Sequence, residues 1–124
     1  MVDTSAVMAV LRGEPEASRV ESVLAQASTR WISAGTVVEL ALVIESRHPT
    51  LTVERVVRDF RLTSVDVDDD LVQRAVDAWR RFGRGRHPAA LNYGDCFSYA
   101  LAHRLGAPLV CVGDDLSRTD AVIA

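Results

Sequence analysis

The sequence predicts an α/β fold around a mostly parallel sheet, and three observations support this. Short apolar segments alternate with stretches of helical periodicity along the chain, the pattern of repeated strand-helix units. The clearest strand, Pro108-Leu109-Val110-Cys111-Val112, is apolar throughout, as a strand covered on both faces must be. The 124 residues have the size of one domain, spanning 1–124, with no repeat, linker or low-complexity segment to divide them.

Met1-Val2 is an apolar stub, and Asp3-Thr4-Ser5 then caps a short buried helix, Ala6–Leu11, ended by Gly13. Glu14-Pro15-Glu16 opens a second helix carrying Val20, Val23, Leu24 and Ala27 at helical spacing, because proline and acids suit a first turn. Trp31-Ile32-Ser33 reads as a strand. The run Val37–Ile44 is too long for a strand and apolar nearly all round, a buried helix ending near His48-Pro49. Thr52 caps a fourth helix with Val53, Val56, Val57 and Phe60, and Ser64–Asp68 alternates with period two. Asp68-Asp69-Asp70 starts a helix with Leu71, Ala75, Ala78, Trp79 and Phe82. From Arg80 to Asn92 the chain is breaker-rich and its most basic, which predicts a surface loop. A last helix, Tyr93–Leu105, is stopped by Gly106, and Gly113-Asp114-Asp115 turns out of the final strand.

Composition excludes several kinds of function. All 14 basic residues are arginine, so P-loop and Schiff-base chemistry, which need lysine, are absent. A formal net charge of -3 lacks the global field of a nonspecific nucleic-acid binder, so any such contact must be local. Cys96 and Cys111 lie in apolar segments without metal-ligand spacing and read as buried thiols. No apolar run approaches the roughly 18 residues of a membrane span, and MVDTSA has no signal-peptide pattern, so a cytoplasmic protein is expected.

The acids carry the chemistry. Asp3, Glu39, Asp95 and Asp114/Asp115 each fall just after a strand or on the helix it enters, where ligands of open parallel sheets bind. Carboxylates brought together repel one another unless a cation sits between them, and oxygen-only donors select a hard ion such as Mg²⁺ or Mn²⁺. Each acid also has a plain structural role open to it: Asp3 as a helix cap, Asp95 as charge in a helix's first turn, Asp114 and Asp115 as turn residues, and Glu39 in a solvated stripe with Thr36 and Ser46. Arg80, Arg81, Arg84 and Arg86 are solubilising unless they flank such a site, where arginine forks suit phosphate oxygens.

The residues resemble a family, the PIN-domain ribonucleases, and within it the VapC toxins of bacterial toxin-antitoxin pairs. The matching segments are Val2-Asp3-Thr4-Ser5-Ala6, Thr36–Ala41, Leu91–Ala102 with its Asn92-Tyr93-Gly94-Asp95 block, and Pro108–Leu116 with Thr119-Asp120. The resemblance implies an α/β/α sandwich with four or five strands and a pocket that uses Mg²⁺ or Mn²⁺ to cut single-stranded regions of RNA. It places Asp3 and Asp95 as metal ligands and catalytic residues with Glu39 and Asp115, and Ser5, Asn92, Asp114 and Asp120 in support. Gly113 stands where the family usually has an aspartate, so the fourth acid falls on Asp115, with Asp114 and Asp120 as substitutes. The four loop arginines would contact RNA. A homodimer and a cognate VapB-type antitoxin are implied as partners, with the apolar third and fourth helices as contact surfaces.

Two other readings stay open: a phosphate-handling aspartate-cluster domain, disfavoured by the missing lysine, and a catalytically silent partner-binding domain, favoured by Gly113.

Overall fold

The computed structural model describes residues 1–124. Its elements are α1 (Thr4–Arg12), α2 (Ala17–Gln26), β1 (Arg30–Ser33), α3 (Ala34–Arg47), α4 (Val53–Asp59), β2 (Leu62–Val65), α5 (Asp69–Phe82) and α6 (Tyr93–Leu105), followed by a 3₁₀ turn at Leu116–Arg118.

The helix boundaries follow from their caps. Asp3, Ser33, Thr52, Asp68 and Asn92 each accept a hydrogen bond from a backbone N–H of the first turn, a contribution of about 1 kcal/mol apiece. Gly13 and Gly106 end α1 and α6 in the left-handed conformation at φ 62° and 58°, where a side chain would be strained. Arg80 and Arg81 belong to the last turn of α5, so the basic loop begins only at Gly83: the helical stripe from Leu71 to Phe82 carries them with it.

The sheet is shorter than expected. Only β1 and β2 form a regular ladder, parallel, pairing Arg30 with Leu62 through Ser33 with Val65. The Ser64–Asp68 alternation therefore marks a strand that ends at Val65. Three further segments extend the ladder by single pairings rather than as full strands. Val2 donates to the Trp31 carbonyl and bridges Val110, and Leu109 bridges Ile123, each in parallel. The reason is local: α1 begins at Thr4, one residue after its cap, so only Val2 is free to pair. The C-terminal segment at Ile123 has no counterpart in the strand pattern of the sequence.

Alternation along these segments builds two cores. Met1, Leu109 and Cys111 face one cluster with Leu71, Phe82, Leu91, Phe97 and Leu101 from α5, α6 and the loop between them. Val2 and Val110 face the other, with Val7, Val20, Leu24, Ile32, Leu40, Ile44 and Val56. Helices α1–α4 thus cover one side of the pairing segments and α5–α6 the other. Both cysteines are buried and unpaired, and burial pushes each thiol up to about 11. No helix is long and apolar enough to cross a membrane.

Candidate active site

Strand ends and helix starts meet at one hollow of ≈ 380 Å³, lined by Asp3, Ser5, Glu39, Asn92, Asp95, Asp114 and Asp115 among others. It is not the largest hollow; one of ≈ 620 Å³ between α5 and the start of α6 is apolar and shares only Asn92 with it. The polar hollow is the one that gathers groups able to do chemistry.

Asp3 is almost fully buried, and both of its oxygens accept hydrogen bonds. Its Oδ2 accepts from the backbone N–H and the hydroxyl of Ser5 at 2.9 and 2.6 Å, and its Oδ1 accepts from the Ser98 hydroxyl at 2.5 Å. Ser5 in turn accepts from the Val112 N–H at 3.0 Å, tying the start of α1 to the end of the final apolar segment. Asp3 therefore caps its helix and faces the hollow at once; the two readings of it are not alternatives.

Glu39 is half-buried and takes a 2.6 Å hydrogen bond from the Thr4 hydroxyl. The solvated stripe considered for it is absent, because Thr36 is fully buried and hydrogen-bonded with Ser98 at 3.2 Å. Burial is the main cause that raises the Glu39 carboxyl above its ordinary range, with the charge of Asp3 acting in the same direction. Gly94 explains how Glu39 reaches this place. A Cβ on Gly94 would lie 2.2 Å from the Glu39 carboxylate, so the side chain occupies space that only glycine leaves. A Cβ on Gly35 would similarly meet the Phe97 ring at 2.9 Å, and both glycines lie at the approach of α3 to α6.

Asp95 and Asn92 form a reciprocal cap, each side chain accepting from the other's backbone N–H, at 2.8 and 2.9 Å. Desolvation, with added repulsion from Asp3, Glu39 and Asp115, raises Asp95 to about 6. The fold consequently binds this proton more tightly than the unfolded chain does, so ionising Asp95 costs stability. Without divalent cations the melting temperature should fall as pH rises from about 4 to about 6, with Glu39 acting in the same sense. Asp68 and Asp120, both lowered, act in the opposite sense, but their stabilisation is lost only as pH falls through the ordinary carboxylate range, so they oppose the trend at the low end of that window alone. Thermal unfolding across this range checks the sign.

Of the substitutes for the fourth acid, Asp114 lines the hollow but is paired with Arg118 at 3.1 Å, whereas Asp115 lines it without an ion pair. Asp120 is elsewhere: it accepts from Tyr99 at 2.5 Å and from Arg81 at 2.7 Å. None of the four basic residues of the expected RNA-contacting stretch lines the acidic hollow. Arg80 pairs with Asp77, Arg81 with Asp120, Arg86 stacks over Trp79 at 4.1 Å, and Arg84 lines the apolar hollow. Arg12 and Arg47 line the acidic hollow instead. Sequence reading also passed over Thr4, Ser98 and Gly94. For Ser98 a signal existed: it is the polar residue within the buried run Cys96–Ala102 of α6.

The donor set fits a hard divalent ion. Every candidate ligand is a carboxylate oxygen, and the charges of Asp3, Glu39 and Asp115 all bear on Asp95. No three acid, histidine or cysteine side chains stand close enough together to hold an ion as they are placed.

The PIN-domain family pattern matches residues 1–122. Ribonuclease VapC of Mycolicibacterium smegmatis is 42% identical over 123 residues, covering 97% of this chain and 95% of that protein. The chain belongs to the VapC family of PIN domains. Ribonuclease VapC30 of Mycobacterium tuberculosis is also 42% identical, over 127 residues, covering 97% of this chain and 94% of the relative. Among solved structures, Mycobacterium tuberculosis VapC20, a Sarcin-Ricin loop cleaving toxin, superposes with a TM-score of 0.73 at 16% identity, covering 99% and 96% of the two chains. A toxin-antitoxin complex from Klebsiella pneumoniae gives 0.72 at 18%, covering 99% and 94%. At such identities these two likenesses establish the shared fold. The PIN fold thus agrees with the α/β reading of the sequence, although its regular sheet here is the two-stranded ladder described above.

Proposed function

We propose that this VapC-family protein is a Mg²⁺- or Mn²⁺-dependent endoribonuclease that cuts single-stranded regions of RNA and acts as the toxin of a VapBC-type pair. The observation that carries the reading is the one hollow that Asp3, Glu39, Asp95 and Asp115 line together, with Asp95 raised to about 6 by burial and by the charges of the other three. A silent binding domain has no need to bear that electrostatic cost.

Asp3 and Asp95 are the proposed ligands, and Glu39 and Asp115 complete the negative field around them. When bound, the ion would lower the pKa of a water and neutralise charge on the phosphodiester. The protein's own contribution is placement. Ser5 and Ser98 fix both oxygens of Asp3, Thr4 orients Glu39, and the Asn92 N–H holds one oxygen of Asp95 so that the other is free. Asp114 supports the turn through Arg118. Asp120, tied to Tyr99 and Arg81, supports from outside the hollow. Arg84 and Arg86 are exposed beside the apolar hollow that adjoins the acidic one at Asn92, so an RNA strand leaving the site would pass them. Arg80 and Arg81 lie further back on α5.

A VapB-type antitoxin and a second copy of the chain are the proposed protein partners. Val38 and Leu42 on α3 are 60% and 70% exposed, an apolar face of the kind that partners cover. Helix α4 contributes less than the sequence suggested, since Val53 and Val56 point into the core.

The reading predicts that the purified protein cuts a single-stranded RNA oligomer in Mg²⁺ or Mn²⁺, that EDTA stops it, and that the same oligomer annealed to its complement resists. Equal cutting with and without EDTA would remove the metal from the account.

A further inference from the structure

The acidic hollow presents a problem that its acids do not solve. Five carboxylates line it, Asp3, Glu39, Asp95, Asp114 and Asp115, and a polyanionic strand must approach them closely. A metal ion offsets charge at the reacting phosphate, but the neighbouring phosphates need cations of their own.

Two guanidinium groups line the same hollow. Arg12 closes the last turn of α1 and Arg47 the last turn of α3. Their bonding differs from that of the five arginines held most tightly in this chain. Arg74, Arg80, Arg81, Arg104 and Arg118 are each bonded to a carboxylate at 3.1 Å or less. Arg47 makes no hydrogen bond and no ion pair, although acids line the hollow it borders. Arg12 is tied only to Glu14, at 3.4 Å, and Glu14 is not part of the hollow. Both are exposed.

We propose that Arg47, assisted by Arg12, holds the RNA backbone at this site, each guanidinium taking a phosphate next to the one that is cut. The proposal rests on the ribonuclease reading and deepens it. A guanidinium suits the task because its planar fork meets two phosphate oxygens at once and stays charged at every relevant pH. Its contact is with the backbone, so it adds affinity without base preference. The placement also differs from that expected from the sequence, which put the RNA-contacting arginines at 80–86. A plainer role exists, since cations at helix C-termini relieve the dipole. That role affects stability and leaves substrate affinity alone, which makes the two separable.

The test is steady-state cleavage of a single-stranded RNA oligomer in Mn²⁺ by wild type, Arg47→Ala, Arg47→Lys and Arg12→Ala, at several salt concentrations. Arg55→Ala on α4 serves as the control, because Arg55 pairs with Asp59 and lies outside the hollow. Arg47→Ala is expected to raise KM about tenfold with kcat nearly unchanged, since a hydrogen bond to a charged group is lost. It should also reduce the slope of log KM against log salt by about 0.7, the share of one phosphate contact on a single strand. Arg47→Lys should recover part of the KM, and Arg12→Ala should show the smaller change. If Arg47→Ala matches Arg55→Ala, or if its loss lies in kcat with the salt slope intact, the proposal is overturned while the ribonuclease reading stands. If the wild type itself does not cut, both fall together.

Discussion

Gly94→Ala should lose most cleavage activity while leaving the fold nearly as stable as before. The added methyl would sit 2.2 Å from the Glu39 carboxylate, well inside contact distance. What it meets is the far end of a flexible side chain, so Glu39 can swing away at little cost. Alanine is also a better helix former than glycine, by less than the interior value at this first-turn position, which offsets part of the residual strain. Unfolding free energy should therefore change by less than about 1 kcal/mol. Activity should fall by about 100-fold, because a carboxylate of the proposed centre has left its place and its bond from Thr4 is broken. The double variant Gly94→Ala/Glu39→Ala supplies the control. It should be no worse than Glu39→Ala alone, since the two changes remove the same group. A Gly94→Ala protein that cuts like wild type would show that the position of Glu39 is unimportant.

Asp95→Asn should separate function from stability in the opposite direction. The neutral amide keeps an oxygen to accept from the Asn92 N–H, so the cap of α6 survives. It removes a charge that burial and the repulsion of Asp3, Glu39 and Asp115 all disfavour. At pH 7 without metal the variant is expected to melt higher than wild type, and the difference should vanish near pH 4, where Asp95 is protonated. Cleavage should nonetheless drop by at least about 100-fold, since one of two proposed ligands is gone. Asp3→Asn is the informative counterpart. Asp3 accepts through both oxygens, so the amide keeps the cap of α1 with one but sets an NH2 in place of the other, and this should lower stability as well as activity.

Much of the hollow was legible in the sequence because its acids fall where helices start. Asp3 caps α1 and Asp95 completes the cap of α6 with Asn92, and starting those helices at strand ends is what places both carboxylates on one hollow. Glu39 stood out as the one charge within the apolar run Val37–Ile44. The hydroxyls of Thr4 and Ser98 were harder to read, since hydrogen bonds reaching across 35 and 95 residues have no local signature. The same is true of Gly94, whose need is space for a side chain on another helix rather than an unusual backbone angle. The sheet misled in length: periodicity registers an apolar run, but pairing stops where a capping residue turns the chain into a helix, as at Asp3. The basic stretch misled in place, because Arg80 and Arg81 continue the α5 helix and find acidic partners at Asp77 and Asp120.

The central claim is that the carboxylates of one hollow form a metal-dependent centre for cutting RNA. Cleavage of a single-stranded RNA oligomer by wild type, Asp3→Asn and Asp95→Asn, purified identically and shown to be folded by circular dichroism, tests it most directly. The account predicts that wild type cuts only with Mg²⁺ or Mn²⁺ and that both folded variants are inactive at every metal concentration. Equal cutting by all three proteins, or no cutting by wild type with any divalent ion, would contradict it.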